Sequence, residues 1–485
     1  MHWIDLSIFG LYMIAMLGFG FYFLKRNEGA DDYYVGGRNM SSWHVGLSVV
    51  ATDVGGGFSI GLGGLGFTMG LSGSWLLFTG LIGAWMAAVL LIPKVKGNPV
   101  FDTAYTFPEV FKYYFNAKVA LIAGIISAIG YAGFTSSQIL AGAKLANGTF
   151  ANLDLTTAVI IMGSIAVVYT VMGGLKAVIY TDTIQWGILM FGLVFIGIPV
   201  SYNAIGGWEA IQATVDPQML SMTNLSWQQV LGWAVTIIPI WFVGMTLYQR
   251  IYACKDEKTA KKAWYLAGLF EWPVMAFMGV ALGLFAKVAA SQGMFEYLGA
   301  ANINQADPET GLPMLLRTVL PVGLMGIMMS AYFSAILSTA DSCLMASSGN
   351  VVSDIINYFK EIDHQGDTFI RFSQITTFII GAGAIIIAST MESVLDLMLY
   401  SYAFMVSGLF VPIIGALYWR KSSAVGAISA MILGGGTTVF LQVFFKQLPA
   451  GLDPNVFGIS VSAIAFIVLS LNFPDDGEEK ITRSE

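Results

Sequence analysis

Charge is scarce in this chain. Only 11% of its 485 residues are Asp, Glu, Lys or Arg, against roughly 25% in an ordinary soluble domain, so a soluble enzyme is not the default reading. Cysteine is nearly absent: Cys254 and Cys343 are too few for a disulfide framework, and neither sits in zinc-ligand spacing. The three histidines, His2, His44 and His364, are scattered, so no cofactor and no redox or metal centre is implied. A basic excess is missing as well. A net charge of −7 and a pI near 5.1 give no face for nucleic acid. Apolar material is abundant instead: 56% of residues are hydrophobic and the mean hydropathy is +0.72, which excludes a disordered chain. The 55 glycines, 33 phenylalanines and 12 tryptophans suit membrane helices, where backbones pack closely and aromatics sit at the interfaces.

A helix needs about 20 mostly apolar residues to cross a bilayer. Charged clusters divide the chain into about thirteen such stretches: 4–24, 44–66, 73–93, 119–143, 155–173, 179–202, 228–248, 265–289, 318–348, 370–391, 394–419, 423–445 and 455–472. The first is read as a retained anchor, since its basic residues, Lys25 and Arg26, follow the apolar run and no small-residue cleavage site comes after it. Lys and Arg accumulate in cytoplasmic loops. With the N-terminus outside and the C-terminus inside, only Lys144, Lys287, Arg317 and Lys446 of the 23 basic residues fall outside, and Arg250 counts among the cytoplasmic ones. The expectation is an all-α polytopic protein of the plasma membrane, one transporter-like domain over 1–472 with a short acidic cytoplasmic tail at 473–485. The polar stretches 203–227 and 290–317 are long enough only for short helices.

A few spans carry residues that hydrocarbon penalises. Span two contains Ala51-Thr52-Asp53-Val54-Gly55-Gly56-Gly57-Phe58-Ser59. Each Gly costs about 1 kcal/mol relative to Ala inside a helix, and three in a row predict unwinding at mid-membrane. Unwound backbone is tolerated there only where it faces protein or a watery cavity, and its freed carbonyls can then ligate a cation. Close packing by small residues is the plainer alternative, but it leaves the aspartate unexplained. Span nine carries Ser334-Ala335-Ile336-Leu337-Ser338-Thr339-Ala340-Asp341-Ser342-Cys343. Ala335, Ser338, Thr339 and Ser342 share a helix face, with Asp341 beside Ser338 at i+3. Hydroxyl and carbonyl oxygens suit a hard cation; the plainer alternative is Ser and Thr bonding back to their own helix. Asp182 begins span six, where an acid is ordinarily a cap. Glu271 and Asp396 receive no role.

In order along the chain, Ala51–Gly57, the run from Tyr169-Thr170-Val171-Met172-Gly173-Gly174 to Tyr180-Thr181-Asp182-Thr183-Ile184-Gln185, and the run from Ser338 to Asp354 resemble the sodium/solute symporter family nearly end to end. Sodium/proline, sodium/sialic acid and high-affinity choline carriers are members. The resemblance implies a LeuT-type five-helix inverted repeat with broken helices, one repeat at about 44–202 and the other at about 228–419. It implies a main sodium site at the carbonyls of Ala51, Val54 and Ala335 and the hydroxyls of Ser338 and Thr339. A second sodium site, present in some members, would map to Asp182, Ser338, Asp341 and Ser342. Asp53 matches the acid of the proline carriers, but the Trp that they have four residues later is Gly57 here. Choline carriers have Trp at the position of Asp53. The implied solute site comprises Asp53, Gly55, Gly57, Phe58, Phe134, Thr135, Gln138 and Trp241; for Phe134, Thr135, Gln138 and Trp241 ordinary bundle packing is the alternative.

The function so implied is sodium-coupled import of a small polar organic solute, an amino acid, an amine or a related zwitterion or cation, by alternating access. Its partners are the solute, sodium ion and the lipid bilayer; oligomeric state is left open. A proton-coupled carrier of the same fold and a sodium/sugar or sodium/carboxylate symporter are the alternatives. A channel would show linear flux without accumulation. An enzyme is not expected, because no His-Glu-x-x-His, no paired catalytic acids and no nucleophile with its base is recognisable.

Overall fold

The computed structural model describes residues 2–24, 34–150, 152–300, 303–360, 367–445 and 447–475. These residues form no strand ladder; they run as helices α1 (Trp3–Leu24), α2 (Ser42–Met69), α3 (Trp75–Leu90), α4 (Ala117–Thr149), α5 (Leu155–Gly192), α6 (Trp227–Val243), α7 (Met245–Ala253), α8 (Glu257–Leu269), α9 (Ala276–Ser291), α10 (Pro308–Val319), α11 (Leu324–Gly349), α12 (Asp367–Ala388), α13 (Val394–Tyr418), α14 (Ala424–Phe444) and α15 (Pro454–Asn472), with short helical turns between several of them. Lys25, Arg26 and the tail beyond 475 lie outside the described residues.

Helix ends are where main-chain donors lose their partners. The sequence supplies an acceptor at most of them. Asn116 takes the N–H groups of Lys118 and Val119 at the start of α4. Asp154 takes Thr157 N–H before α5, Asp256 takes Thr259 N–H before α8, and Asp453 takes Asn455 N–H before α15. Such caps contribute about 1 kcal/mol each.

Among the described residues nine helical stretches are long and apolar enough to cross a membrane, and α6 with α7, which meet at 42°, make a tenth. The apolar segments Trp3–Met16 and Leu155–Val171 are shorter. Most of the second predicted span and the third fall in one stretch, Gly55–Val95, with a short helical turn at Gly70–Ser74. Gly70 has φ +75°, and a side chain there would run into the carbonyl of Met219. The predicted boundary between spans five and six is not a loop: the backbone is helical throughout α5, so the dip in hydropathy at Gly173, Gly174 and Lys176 marks no break in helical bonding. Span nine begins later than predicted. Residues 318–323 close α10 and form a turn, and α11 starts at Leu324. The stretch 290–317 thus holds a 12-residue helix, α10, whose residues from Glu309 to Leu316 are buried.

Burial sorts the helices. α11 is buried along nearly its whole length, whereas α12 exposes Ile375, Phe378, Ile379 and Ile386, and α14 exposes Ile432, Phe440, Val443 and Phe444. Helices that show bulky apolar side chains outward belong at a lipid boundary, and one that carries six serines and an aspartate, all buried, belongs inside the bundle.

Candidate functional site

The break in α2 is confined to one residue. Gly55 has φ 34° and ψ −156°, and no other residue of Ser42–Met69 leaves helical geometry. The N–H groups of Gly56 and Gly57, the next two donors, both go to Oε1 of Gln138 on α4, at 2.9 and 3.0 Å. Ser59 Oγ donates to the carbonyl of Gly55 at 2.6 Å. The glycines also set how closely the helices approach. A Cβ at Gly55 would collide with Thr339, one at Gly56 with Ile336, and one at Gly57 with Gln138 and Met398. Helix breaking and small-residue packing, alternatives in the sequence, therefore operate at the same three residues.

Across the break stands α11. Thr339 Oγ1 lies 3.0 Å from the carbonyl oxygen of Ala51 and 3.1 Å from that of Ala335, and Ser338 Oγ donates to the same Ala335 oxygen at 3.3 Å. Four of the five residues expected to ligate sodium are thereby brought together from two helices. Val54 is the fifth, and its side chain and that of Phe58 lie outside the described residues. The assembled donors are neutral, hard oxygens, a set that fits a monovalent hard cation.

Next to this cluster lies Arg250 of α7, which is fully buried rather than part of a cytoplasmic loop. Its Nε donates to Ser48 Oγ at 3.0 Å, and its Nη1 to the carbonyl of Thr246 at 3.2 Å. Nη2 reaches Thr52 Oγ1 at 2.5 Å, Ser342 Oγ at 2.9 Å and Asp182 Oδ2 at 3.4 Å. Ser48 Oγ also donates to Asp182 Oδ2, at 2.5 Å. Asp182 and Ser342 are thus adjacent, as the sequence implied, but they meet around a guanidinium. Asp341 accepts a 2.5 Å bond from Thr170 of α5 instead. Arg250, Ser48 and Thr52 were not singled out from the sequence. The available signal was that Arg250 follows the Pro239 and Gly244 interruption by less than two turns, among Tyr248, Ile251 and Tyr252.

One turn from the sodium-type cluster, Asp53 is 6% exposed and its carboxyl faces that of Glu271, which is fully buried in the irregular turn between α8 and α9. Oδ2 of Asp53 and both oxygens of Glu271 accept no hydrogen bond from the described residues. Glu271 packs so tightly on α3 that a Cβ at Gly80 would overlap it. Phe134 stacks edge-on against Tyr402 at 4.8 Å. Thr135 Oγ1 bonds back to the carbonyl of Tyr131 at 2.8 Å, and Gln138 is held by α2. Trp241 is fully buried between Gly83 of α3 and Trp264 of α8. Asp53 is therefore grouped with a residue the sequence left without a role, Glu271, while Phe134 packs on Tyr402. Thr135, Gln138 and Trp241 make contacts within the bundle.

Farther along α2, a cavity of about 360 Å³ is bounded by Gly61, Gly64, Lys144 and Glu309. Lys144 of α4 pairs with Asp307 at 2.7 Å and Glu309 at 2.8 Å, and Glu309 accepts the N–H groups of Val394 and Leu395 at the start of α13. α10 is thereby tied to α4 and α13 across the end of α2.

The family model for the sodium:solute symporter family matches residues 33–434. The osmoregulated proline transporter OpuE of Bacillus subtilis (strain 168) is 27% identical over 480 residues, covering 95% of this chain and 93% of that protein. A sodium/proline symporter of Staphylococcus aureus (strain JH9) is 26% identical over 490 residues, covering 97% and 93%. Among solved structures, a Na+-coupled sialic acid symporter in a substrate-bound outward-open state superimposes with a TM-score of 0.79 at 20% identity, over 98% of this chain and 99% of that one. A nucleobase-cation-symport-1 family transporter in a closed conformation gives 0.57 at 13% identity, over 94% and 98%. Both structural likenesses are likenesses of fold.

Proposed function

The chain belongs to the sodium:solute symporter family, and from its site we propose that it imports a small organic solute carrying a cationic nitrogen, an amino acid, an amine or a related zwitterion, driven by sodium. It is a transporter of the LeuT-type fold, an integral membrane protein and not an enzyme. The observation that carries the proposal is the hydroxyl of Thr339 set between the carbonyls of Ala51 and Ala335. Those oxygens join the broken α2 to α11, so a sodium ion bound among them holds the two helices together with Asp53 on the adjoining turn.

In this reading α2 to α5 and α6 to α13 hold the two inverted repeats, about 44–202 and 228–419, with a break in the first helix of each, at Gly55 and Gly244. The distribution of Lys and Arg supports an outward N-terminus and a cytoplasmic C-terminus in the plasma membrane. Sodium arriving from outside replaces the Thr339 hydrogen bonds by ligation. The solute nitrogen then meets Asp53, whose Oδ2 has no donor among the described residues. By linkage the solute must raise sodium affinity by the factor by which sodium raises solute affinity. Two carboxyls at this place disfavour an anionic solute. They also support a second reading, a proton-coupled carrier, with these two buried acids as the groups that would carry the proton.

A thermal-unfolding screen of the purified protein in sodium against potassium, across amines, amino acids, sugars and carboxylates, tests the proposal. A ligand of the favoured class at 100 times its Kd should add about 2.7 kcal/mol of stability, in sodium only. Stabilisation by sugars or carboxylates alone would reject the solute class. Transport that persists without sodium and collapses with the pH gradient would select proton coupling.

A further inference from the structure

The carboxyls of Asp53 and Glu271 form a buried set of acceptors that the protein itself does not match. Asp53 comes from α2, just before the break at Gly55, and Glu271 from the irregular turn between α8 and α9. Each lies within hydrogen-bonding reach of the other. Oδ2 of Asp53 and both Oε1 and Oε2 of Glu271 are buried and take no donor from the described residues. The cations buried in the bundle are engaged elsewhere, Arg250 with Asp182 and Lys144 with Asp307 and Glu309. Gly80 of α3 makes the room that Glu271 occupies, since a Cβ there would overlap Oε2. Acceptors buried in this way call for donors and positive charge from a ligand.

Which ligand fits follows from counting donors. A primary ammonium carries three N–H groups, one for each of the three unmatched oxygens. A secondary ammonium carries two, and a quaternary ammonium none. A hard metal ion gathers about six oxygens, and among the described residues no third acid, histidine or cysteine joins this pair. We infer that Glu271 is a specificity-determining residue of the solute site, and that with Asp53 it selects a solute headed by a primary ammonium over its secondary and quaternary counterparts. The inference rests on the sodium-coupled, cationic-nitrogen reading above and narrows it. A quaternary head brings the charge but no donor, so the three oxygens stay desolvated and unpaired around it.

Two N-methylation series test the inference by thermal unfolding of the purified full-length protein in sodium chloride, with potassium chloride as the control. One runs from ethanolamine through N-methylethanolamine and N,N-dimethylethanolamine to choline, the other from glycine through sarcosine and N,N-dimethylglycine to glycine betaine. In whichever series binds, Kd should rise about tenfold for each N–H replaced by methyl. Glu271→Gln keeps the size of the side chain and turns one acceptor into a donor, so primary and secondary heads should then bind alike. A preference set by bulk alone would survive that change. Gly80→Ala presses a methyl group on Glu271 and should weaken the primary head most. A wild type that binds choline or glycine betaine as tightly as the primary member overturns the inference and leaves the cationic-nitrogen reading standing, whether or not any variant folds. Unchanged selectivity in folded Glu271→Gln overturns it too, as does stabilisation by none of the eight compounds. Stabilisation by sugars or carboxylates alone overturns the reading beneath it.

Discussion

At the scale of single residues, the site depends on a few side chains that each satisfy more than one main-chain group. Thr339 touches carbonyls of two helices, and Ser338 shares one of them. Replacing both by Ala should raise the sodium concentration for half-maximal stabilisation at least about tenfold, equivalent to about 1.4 kcal/mol, with little change in unfolding temperature at saturating potassium. Unchanged sodium dependence would remove these oxygens from the ion site. Gln138→Ala strands two buried N–H groups, at about 1 to 3 kcal/mol each. Thermal unfolding should register the loss, and Gln138→Glu, which keeps an acceptor there, should recover part of it. Outside the membrane spans, burial pushes the Cys254 thiol up to about 12. At neutral pH it carries almost no thiolate, and alkylating reagents should leave it unmodified until the protein unfolds.

At the scale of helices, the sequence announces breaks more clearly than partners. Three glycines beside Asp53 point to the interruption in α2, and the hydroxyl face of α11 is visible in its spacing. That the break would shrink to Gly55 depends on Gln138, 82 residues away from Gly56, and no local pattern carries such a contact. Arg250 escapes for a related reason: a positive charge near a helix end looks like a loop residue until three other helices are seen around it. Glu271 is similar, since its neighbour Asp53 comes from α2 and its close fit from Gly80 of α3. α10 sits in a stretch too polar to read as a span, yet its acids are paired. Lys144→Met should free α10, leaving Glu309 without its ammonium partner. Hydrogen exchange should then speed up over 308–319, while Lys144→Arg should remain near wild type. The α8 cap gives a pH-dependent counterpart. Hydrogen bonds from Thr259 hold Asp256 below its ordinary value, so the cap's contribution is complete at neutral pH and fades as acid takes the pH below the ordinary carboxylate value and through the depressed one. Exchange at the first turn of α8 should rise over that window, and Asp256→Asn should flatten the response.

At the scale of the whole molecule, the number of mobile charges fixes what the carrier can accomplish. One sodium with a net-neutral solute moves one charge, and 100 mV then contributes about 2.3 kcal/mol. That is about a fiftyfold accumulation before the sodium gradient is counted. In proteoliposomes, clamping the potential to zero should cut accumulation by about that factor. A second sodium would square it, so the size of that fall counts the sodium ions moved with each solute.

The amide oxygen of Gln138 has one more implication. Both N–H groups beyond the Gly55 interruption converge on a single atom, so the distal part of α2 is fastened to α4 at a point instead of along a line. Losing that one side chain would therefore release both donors at once, and the seam between α2 and α4 would fail at the break before it failed anywhere else.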